Sequence, residues 1–285
     1  MKKFVKLLTA SAAVLSLAAC GSSTTSTTSS DSSSTAAAET ETLTVIATAN
    51  PHAIILEEAK KILASDYNID LQITVTDNYY VPNEAVSNGE ADANYFQHVP
   101  FFDGEVADKG YNISNVAGIH IEPFGFYSKS ISDISELPDG AEIIISNSVA
   151  DNGRILSILA KEGLLKLDST VDVVSATLND ITENPKGLKF TEVAPETLTA
   201  VYEQGEGDLV AINGNYAIQA GLKPSEDAVL LEQADSTNPY VNIVACQAGH
   251  EDDAKIKALV EVLKSDAIKS FIEETWSDGS VIPAE

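Results

Sequence analysis

The sequence predicts an α/β fold, with mostly parallel sheets flanked by helices. Three observations predict it. Short apolar runs of strand type alternate along the chain with segments whose apolar residues recur every three and four positions. Roughly 240 residues are available to fold, enough for one large or two modest domains. Polar residues, many of them Asn, follow the apolar runs, and in such sheets ligands sit beyond the carboxyl ends of strands.

The amino terminus stands apart from that pattern. "MKKFVK" is basic and "LLTASAAVLSLAA" is a run of small apolar residues ending at Cys20. This is the layout of a secretory signal peptide over residues 1–19, too short to remain as a spanning helix. "LAAC" followed by Gly21 resembles the lipobox of bacterial lipoproteins. The resemblance implies cleavage before Cys20, lipidation of Cys20 and attachment to a membrane through the lipid. Residues 20–42 are rich in Ser and Thr, have little to bury and read as a tether.

The folded elements then follow in order. "LTVIATA" reads as a strand. "PHAIILEEAKKILASDY" reads as a helix with Ile54, Ile55, Ala59, Ile62 and Leu63 on one face and Pro51 in its first turn. "IDLQITVT" is a strand, "VPNEAVSNGE" a short helix, "ADANYF" a strand and "VPFFDGEVADKG" a helix. "ISNVAGIHIEPFGFYS" is extended and broken by Pro123 and Gly125. The middle repeats the scheme: strand "AEIIIS", helix "DNGRILSILAKEGLL", strand "GDLVAING" and helix "NYAIQAGL". "NPYVNIVACQ" is extended, and one or two amphipathic helices close the chain.

Charge narrows the function. The chain holds 43 acidic residues against 17 basic ones, and losing Lys2, Lys3 and Lys6 with the leader moves the formal charge from −26 to −29. Nucleic acid, which needs clustered cations, is excluded as a partner. Past Cys20 only Cys246 remains, so no internal disulfide is expected, and its apolar setting suits an inert core thiol.

Arg154 is the only arginine. It lies in the first turn of a helix, where backbone N–H groups and the helix dipole favour an anion, and its guanidinium offers a fork to a carboxylate. Asp151, one turn earlier, is placed to cap that helix, to bind an ammonium or to orient Arg154. His52, His98, His120 and Glu122 admit a metal reading, but no HxxxH or CxxC spacing supports it. The aromatics around these histidines suit a small organic ligand better, so no metal or other cofactor is assigned. There is no GxSxG, no activated thiol setting and no GxxxxGK, so an enzyme acting on an amino acid or peptide is the weaker reading.

"PHAIILEEA", "YYVPNEAVSNGEADANYFQHVPFFD", "HIEPFGFYSKSISDISELPDGAEI", "ENPKGLKFTE", "LVAINGNYA" and "NPYVNIV" resemble, in that order, the NlpA/MetQ family of methionine-binding lipoproteins of bacterial ABC importers. The resemblance runs from about Leu43 to the C-terminal helices. It implies a two-domain, type II periplasmic-binding-protein-like fold with the ligand in the interdomain cleft. Domain one would comprise residues 43–122 plus 240–285, and domain two residues 123–239. It implies methionine or a related amino acid as ligand and an ABC transporter permease as partner.

By the same resemblance Arg154 holds the ligand carboxylate, and Asn213 and Asn242 hold its amino and carboxyl groups. Tyr79, Phe96, His98 and His120 line or neighbour the side-chain pocket. One departure stands out. "NSVADNGR" replaces the family's "NDPTNxxR", so Asp151 stands where an amide is usual. An ionised carboxylate accepts hydrogen bonds but cannot donate them. That leaves a different amino acid or a short peptide as alternatives, beside the metal-ion receptor that the histidines and Glu122 admit.

Overall fold

Strand β1 (Glu41–Ala47) begins the fold two residues before the expected Leu43. The structure, a computed structural model, describes residues 39–234 and 238–284. The expected leader, Cys20 and most of the tether lie outside the described residues.

The chain builds a first lobe from β1, α1 (Ile54–Asp66), β2 (Ile69–Val75), α2 (Val81–Ser87), β3 (Ala93–His98), α3 (Val99–Lys109) and β4 (Ile113–Ile121). It then crosses at residues 122–124 into a second lobe. That lobe holds β5 (Gly125–Tyr127), β6 (Glu142–Ser146), α4 (Val149–Lys161), β7 (Lys166–Leu167), β8 (Ile181–Glu183), β9 (Lys189–Val193), α5 (Leu198–Gln204), β10 (Leu209–Ile212), α6 (Gly214–Gln219), α7 (Pro224–Asp227) and β11 (Leu230–Leu231). A return crossover leads to β12 (Val241–Gln247), α8 (Ala254–Leu263), α9 (Asp266–Thr275) and β13 (Ile282–Pro283), which rejoin the first lobe.

The strand orders are β13-β4-β12-β3-β1-β2 in the first sheet and β11-β5-β10-β6-β9 in the second. The two-sheet α/β architecture is the one expected, but its pairing is more evenly mixed than mostly parallel. β1 is parallel to β2 and β3, and β6 is parallel to β9 and β10. β12 runs antiparallel to β3 and β4, and β5 antiparallel to β10 and β11. The reason is the crossovers. A strand that enters a sheet from the other lobe, rather than through a covering helix, is free of the rule that makes βαβ neighbours parallel.

Each lobe has its own core. In the first, Leu43 and Val45 of β1 pack with Ile55, Leu56 and Leu63 of α1 and with Leu259 and Leu263 of α8. In the second, Ile143 and Ile145 of β6 pack with Ile155, Leu156 and Leu159 of α4. A third cluster joins the lobes: Tyr79, Phe96 and Phe101 meet Ile212 and Tyr216. Among the described residues no helix is long and apolar enough to cross a membrane. Cys246 is fully buried in β12, as its apolar setting predicts.

The residues of "PNEAVSNGEADANYFQH" do mainly scaffold work. Asn83 of α2 is fully buried. Its Nδ2 donates to Gln97 Oε1 at 2.8 Å, and its Oδ1 accepts from Asn94 at 3.0 Å and from Gln97 at 2.6 Å. These amides lock α2 onto β3 and so fix the strand end that carries His98. Replacing Asn83 with Leu orphans polar atoms of both partners. A loss of about 1–3 kcal/mol per orphaned group is expected in urea unfolding, with the midpoint as the readout.

Candidate functional site

The site forms where strand ends of both lobes face each other. β3 ends at His98, which caps α3: its Nδ1 accepts from the Phe101 amide at 3.2 Å. β6 ends at Ser146 and α4 starts at Val149, so the cap position belongs to Ser148 and not to Asp151. Asp151 lies inside the first turn, and its carboxylate reaches across to His98 Nε2 at 3.4 Å. It is therefore a bridge between lobes. β10 ends at Ile212, and Asn213 is the cap residue of α6.

Six of the residues expected at the ligand, Tyr79, Phe96, His98, Asp151, Asn213 and Asn242, line one narrow interlobe cavity, with Gln97 and Phe101 beside them. It has room for about one water molecule. Tyr79, Phe96 and Phe101 form the aromatic wall, with ring centroids 5.8–6.0 Å apart. The Tyr79 hydroxyl donates to Asn215 Oδ1 at 2.5 Å and accepts from Asn213 Nδ2 at 3.2 Å. Burial holds the Tyr79 phenol well above its ordinary pKa, so it stays protonated. Among the described residues the buried Asn213 Oδ1 and Asn215 Nδ2 make no hydrogen bond.

Arg154 and His120 sit behind this lining. Arg154 is 2% exposed, and its guanidinium lies 4.4 Å from the centroid of Tyr240, whose ring in turn meets His98 at 5.2 Å. Its fork already grips a carboxylate. Nε bonds both oxygens of Glu232 at 3.2 Å, and Nη2 bonds Glu232 Oε2 at 2.5 Å and the Glu122 carbonyl at 2.7 Å. Nη1 donates no hydrogen bond among the described residues. Burial works against ionisation of Glu232, but Arg154, with the Phe124 amide and Asn238, outweighs it and holds the carboxyl below its ordinary value. Sequence reasoning missed Glu232 because one acid among 43 carries no local signal.

His120 belongs to a separate polar cluster with His52 and Glu122. Glu122 Oε1 lies 2.9 Å from His120 Nε2 and 3.6 Å from His52 Nε2. His52 also meets Asn242 Oδ1 at 3.0 Å and Thr48 Oγ1 at 2.7 Å. Tyr95 is hydrogen-bonded to His120 Nδ1. Burial lowers His52 to about 4 and His120 to about 3, so both are neutral imidazoles at neutral pH, while burial raises Glu122. His98, grouped with these residues on sequence grounds, is not among them; it faces Asp151.

The lobes also touch through Gly214, where an added Cβ would lie 2.7 Å from Glu122 Cβ and 2.9 Å from its Oε2.

The chain is similar along most of its length to known proteins. The family model described as NlpA lipoprotein matches residues 43–285. A relative from Bacillus subtilis (strain 168), named methionine-binding lipoprotein MetQ, is 48% identical, with 85% of this chain and 87% of the relative covered. The D-methionine-binding lipoprotein MetQ of Escherichia coli (strain K12) is 34% identical, with 80% and 83% covered.

Among solved structures, a nutrient-binding protein from Burkholderia cenocepacia bound to methionine superposes with a TM-score of 0.80. It is 33% identical, and the match covers 85% of this chain and all of that one. An ABC transporter periplasmic substrate-binding protein from Coxiella burnetii gives a TM-score of 0.79 at 36% identity, with 85% of this chain and all of that one covered. With the family model spanning the whole two-lobed fold and relatives well above 30% identity over most of its length, the chain belongs to the NlpA lipoprotein family.

Proposed function

We propose that the protein captures an amino acid, methionine first among them, between its lobes and hands it to an ABC transporter permease. Lipid on Cys20 holds it at the extracytoplasmic face of the membrane, and residues 43–122 plus 240–285 and residues 123–239 act as its two domains. The observation that carries the reading is the interlobe cavity. It combines an aromatic wall with polar groups able to accept and to donate hydrogen bonds, which is what an amino acid with an apolar side chain requires.

In this reading Asn213 Oδ1, a buried acceptor without a partner among the described residues, receives the ligand ammonium together with Asp151. Arg154 Nη1 and the amide nitrogen of Asn242, whose oxygen is turned to His52, receive the carboxylate. The thioether packs on Tyr79, Phe96 and Phe101, where sulfur–ring contact adds to burial. The cavity must widen to admit the ligand, so the lobes part and re-close around it, and re-closure supplies the form a permease distinguishes.

The relatives named above are binding proteins, and in this reading the protein performs no bond-breaking step. Native mass spectrometry of protein purified from cells, without added ligand, tests the proposal. An adduct with the mass of methionine is expected. An adduct of dipeptide mass would redirect the reading to peptides, with Asp151 taking the second cationic group.

A further inference from the structure

The cluster behind the cavity is arranged around a point rather than along a chain. Glu122 Oε1 faces two imidazole Nε2 atoms, at 2.9 and 3.6 Å, and the ligand-type atoms of His52, His120 and Glu122 all lie within 4.8 Å of one another. Bond lengths of about 2.0–2.2 Å around a tetrahedral zinc ion place its ligand atoms roughly 3.3 Å apart, so drawing the most distant pair in by at most about 1.5 Å, with the 2.9 Å pair opening slightly, brings these groups into register. Asn242 Oδ1, 3.0 Å from His52 Nε2, is a fourth oxygen within reach.

The outer atoms are also disposed for a cation. Thr48 Oγ1 and the Tyr95 hydroxyl hold the Nδ1 atoms of His52 and His120. When those nitrogens donate, each Nε2 lone pair points inward, as second-shell partners of metal-bound histidines enforce. The second carboxylate oxygen, Glu122 Oε2, is buried and has no hydrogen-bond partner within standard distance and angle among the described residues, and the nearby Asn215 backbone amide favours the carboxylate's charge. His52, His120 and Glu122 are 0–1% exposed and Asn242 is 6% exposed.

We propose that His52, His120 and Glu122, with Asn242 as fourth ligand, form a binding site for one first-row divalent cation, of which Zn²⁺ suits two imidazoles and two oxygens best. The site lies behind the aromatic cavity and shares Asn242 with it: Asn242 Oδ1 faces His52, and its amide nitrogen is left for the amino acid. Its ligands come from the turn before α1, from the end of β4 and the outgoing crossover, and from β12 after the return crossover. A bound cation therefore ties both crossovers to the first lobe. It also fixes Glu122, whose carbonyl holds Arg154.

The test uses the full chain purified without a histidine tag, stripped with a chelator and titrated with Zn²⁺ and, separately, Co²⁺. One tightly held Zn²⁺ per chain is expected by elemental analysis after desalting, with the visible absorption of tetrahedral nitrogen–oxygen ligation in the Co²⁺ form. Glu122→Gln and His120→Ala should weaken binding by at least about a hundredfold, and Tyr95→Phe by about tenfold. His250→Ala, at an exposed histidine paired with Asp253, should change nothing. Glu122→Gln preserves shape and decides the matter if His120→Ala does not fold. Absence of stoichiometric uptake, or uptake indifferent to Glu122→Gln, would overturn the proposal and leave a cluster of neutral histidines donating to a carboxylate.

Discussion

Arg154→Ala is expected to abolish methionine binding and to destabilise the fold at the same time. The guanidinium is buried and holds three things together: the Glu232 carboxylate, the Glu122 carbonyl and, in the proposed complex, the ligand carboxylate. Without it Glu232 keeps only weaker partners such as the Phe124 amide at 3.1 Å. Removing one member of a buried ion pair costs about 3–5 kcal/mol. Arg154→Lys separates the two effects. It retains the charge near Glu232, but a single ammonium cannot span the fork's three partners. That variant should fold, with calorimetric affinity for methionine at least about tenfold weaker. Unchanged affinity in both variants would reduce Arg154 to a structural partner of Glu232.

The second large effect concerns Glu232 and acid. Its folded-state pKa lies below the ordinary 4.5 because of Arg154. Between those two values the unfolded chain binds the proton that the native chain does not. The carboxylate's contribution is thus complete above about pH 4.5 and is lost as pH falls through the folded value. Glu232→Gln leaves Arg154 buried without a countercharge and should cost about 3–5 kcal/mol at neutral pH. The gap between wild type and variant should narrow as pH drops below about 4.5. Urea unfolding of both proteins across that range is the check, and a gap independent of pH would show that the pair does not govern acid stability.

Much of this architecture was legible in the sequence because it is carried by local periodicity. The apolar spacing of α1 and α4 and the short apolar runs of β1, β6, β10 and β12 follow from which face each element buries. The partners each strand finds are not local, so the antiparallel return of β12 between β3 and β4 was not readable. The start of α4 was misplaced for a related reason. Asp151 is a favoured capping type, but β6 ends early enough for the helix to begin at Val149, and the carboxylate is drawn to His98 instead.

At the site, residue types that grip small molecules stood out after strand ends, and six of them line one cavity. Glu232 did not stand out, because its partner is 78 residues away. The amides of Asn83, Asn94 and Gln97 carried the family resemblance, yet their structural work is to pin α2 to β3. A strong motif marks what the fold cannot lose, which includes its scaffold as well as its ligand contacts.

The central claim is that the interlobe cavity takes methionine. Titration calorimetry on protein freed of carried ligand by unfolding, washing and refolding tests it most directly. One L-methionine bound per chain is predicted, with binding lost in Arg154→Ala and weakened in Asn213→Ala. No saturable heat with methionine, from refolded protein whose circular dichroism matches the untreated sample, would contradict it.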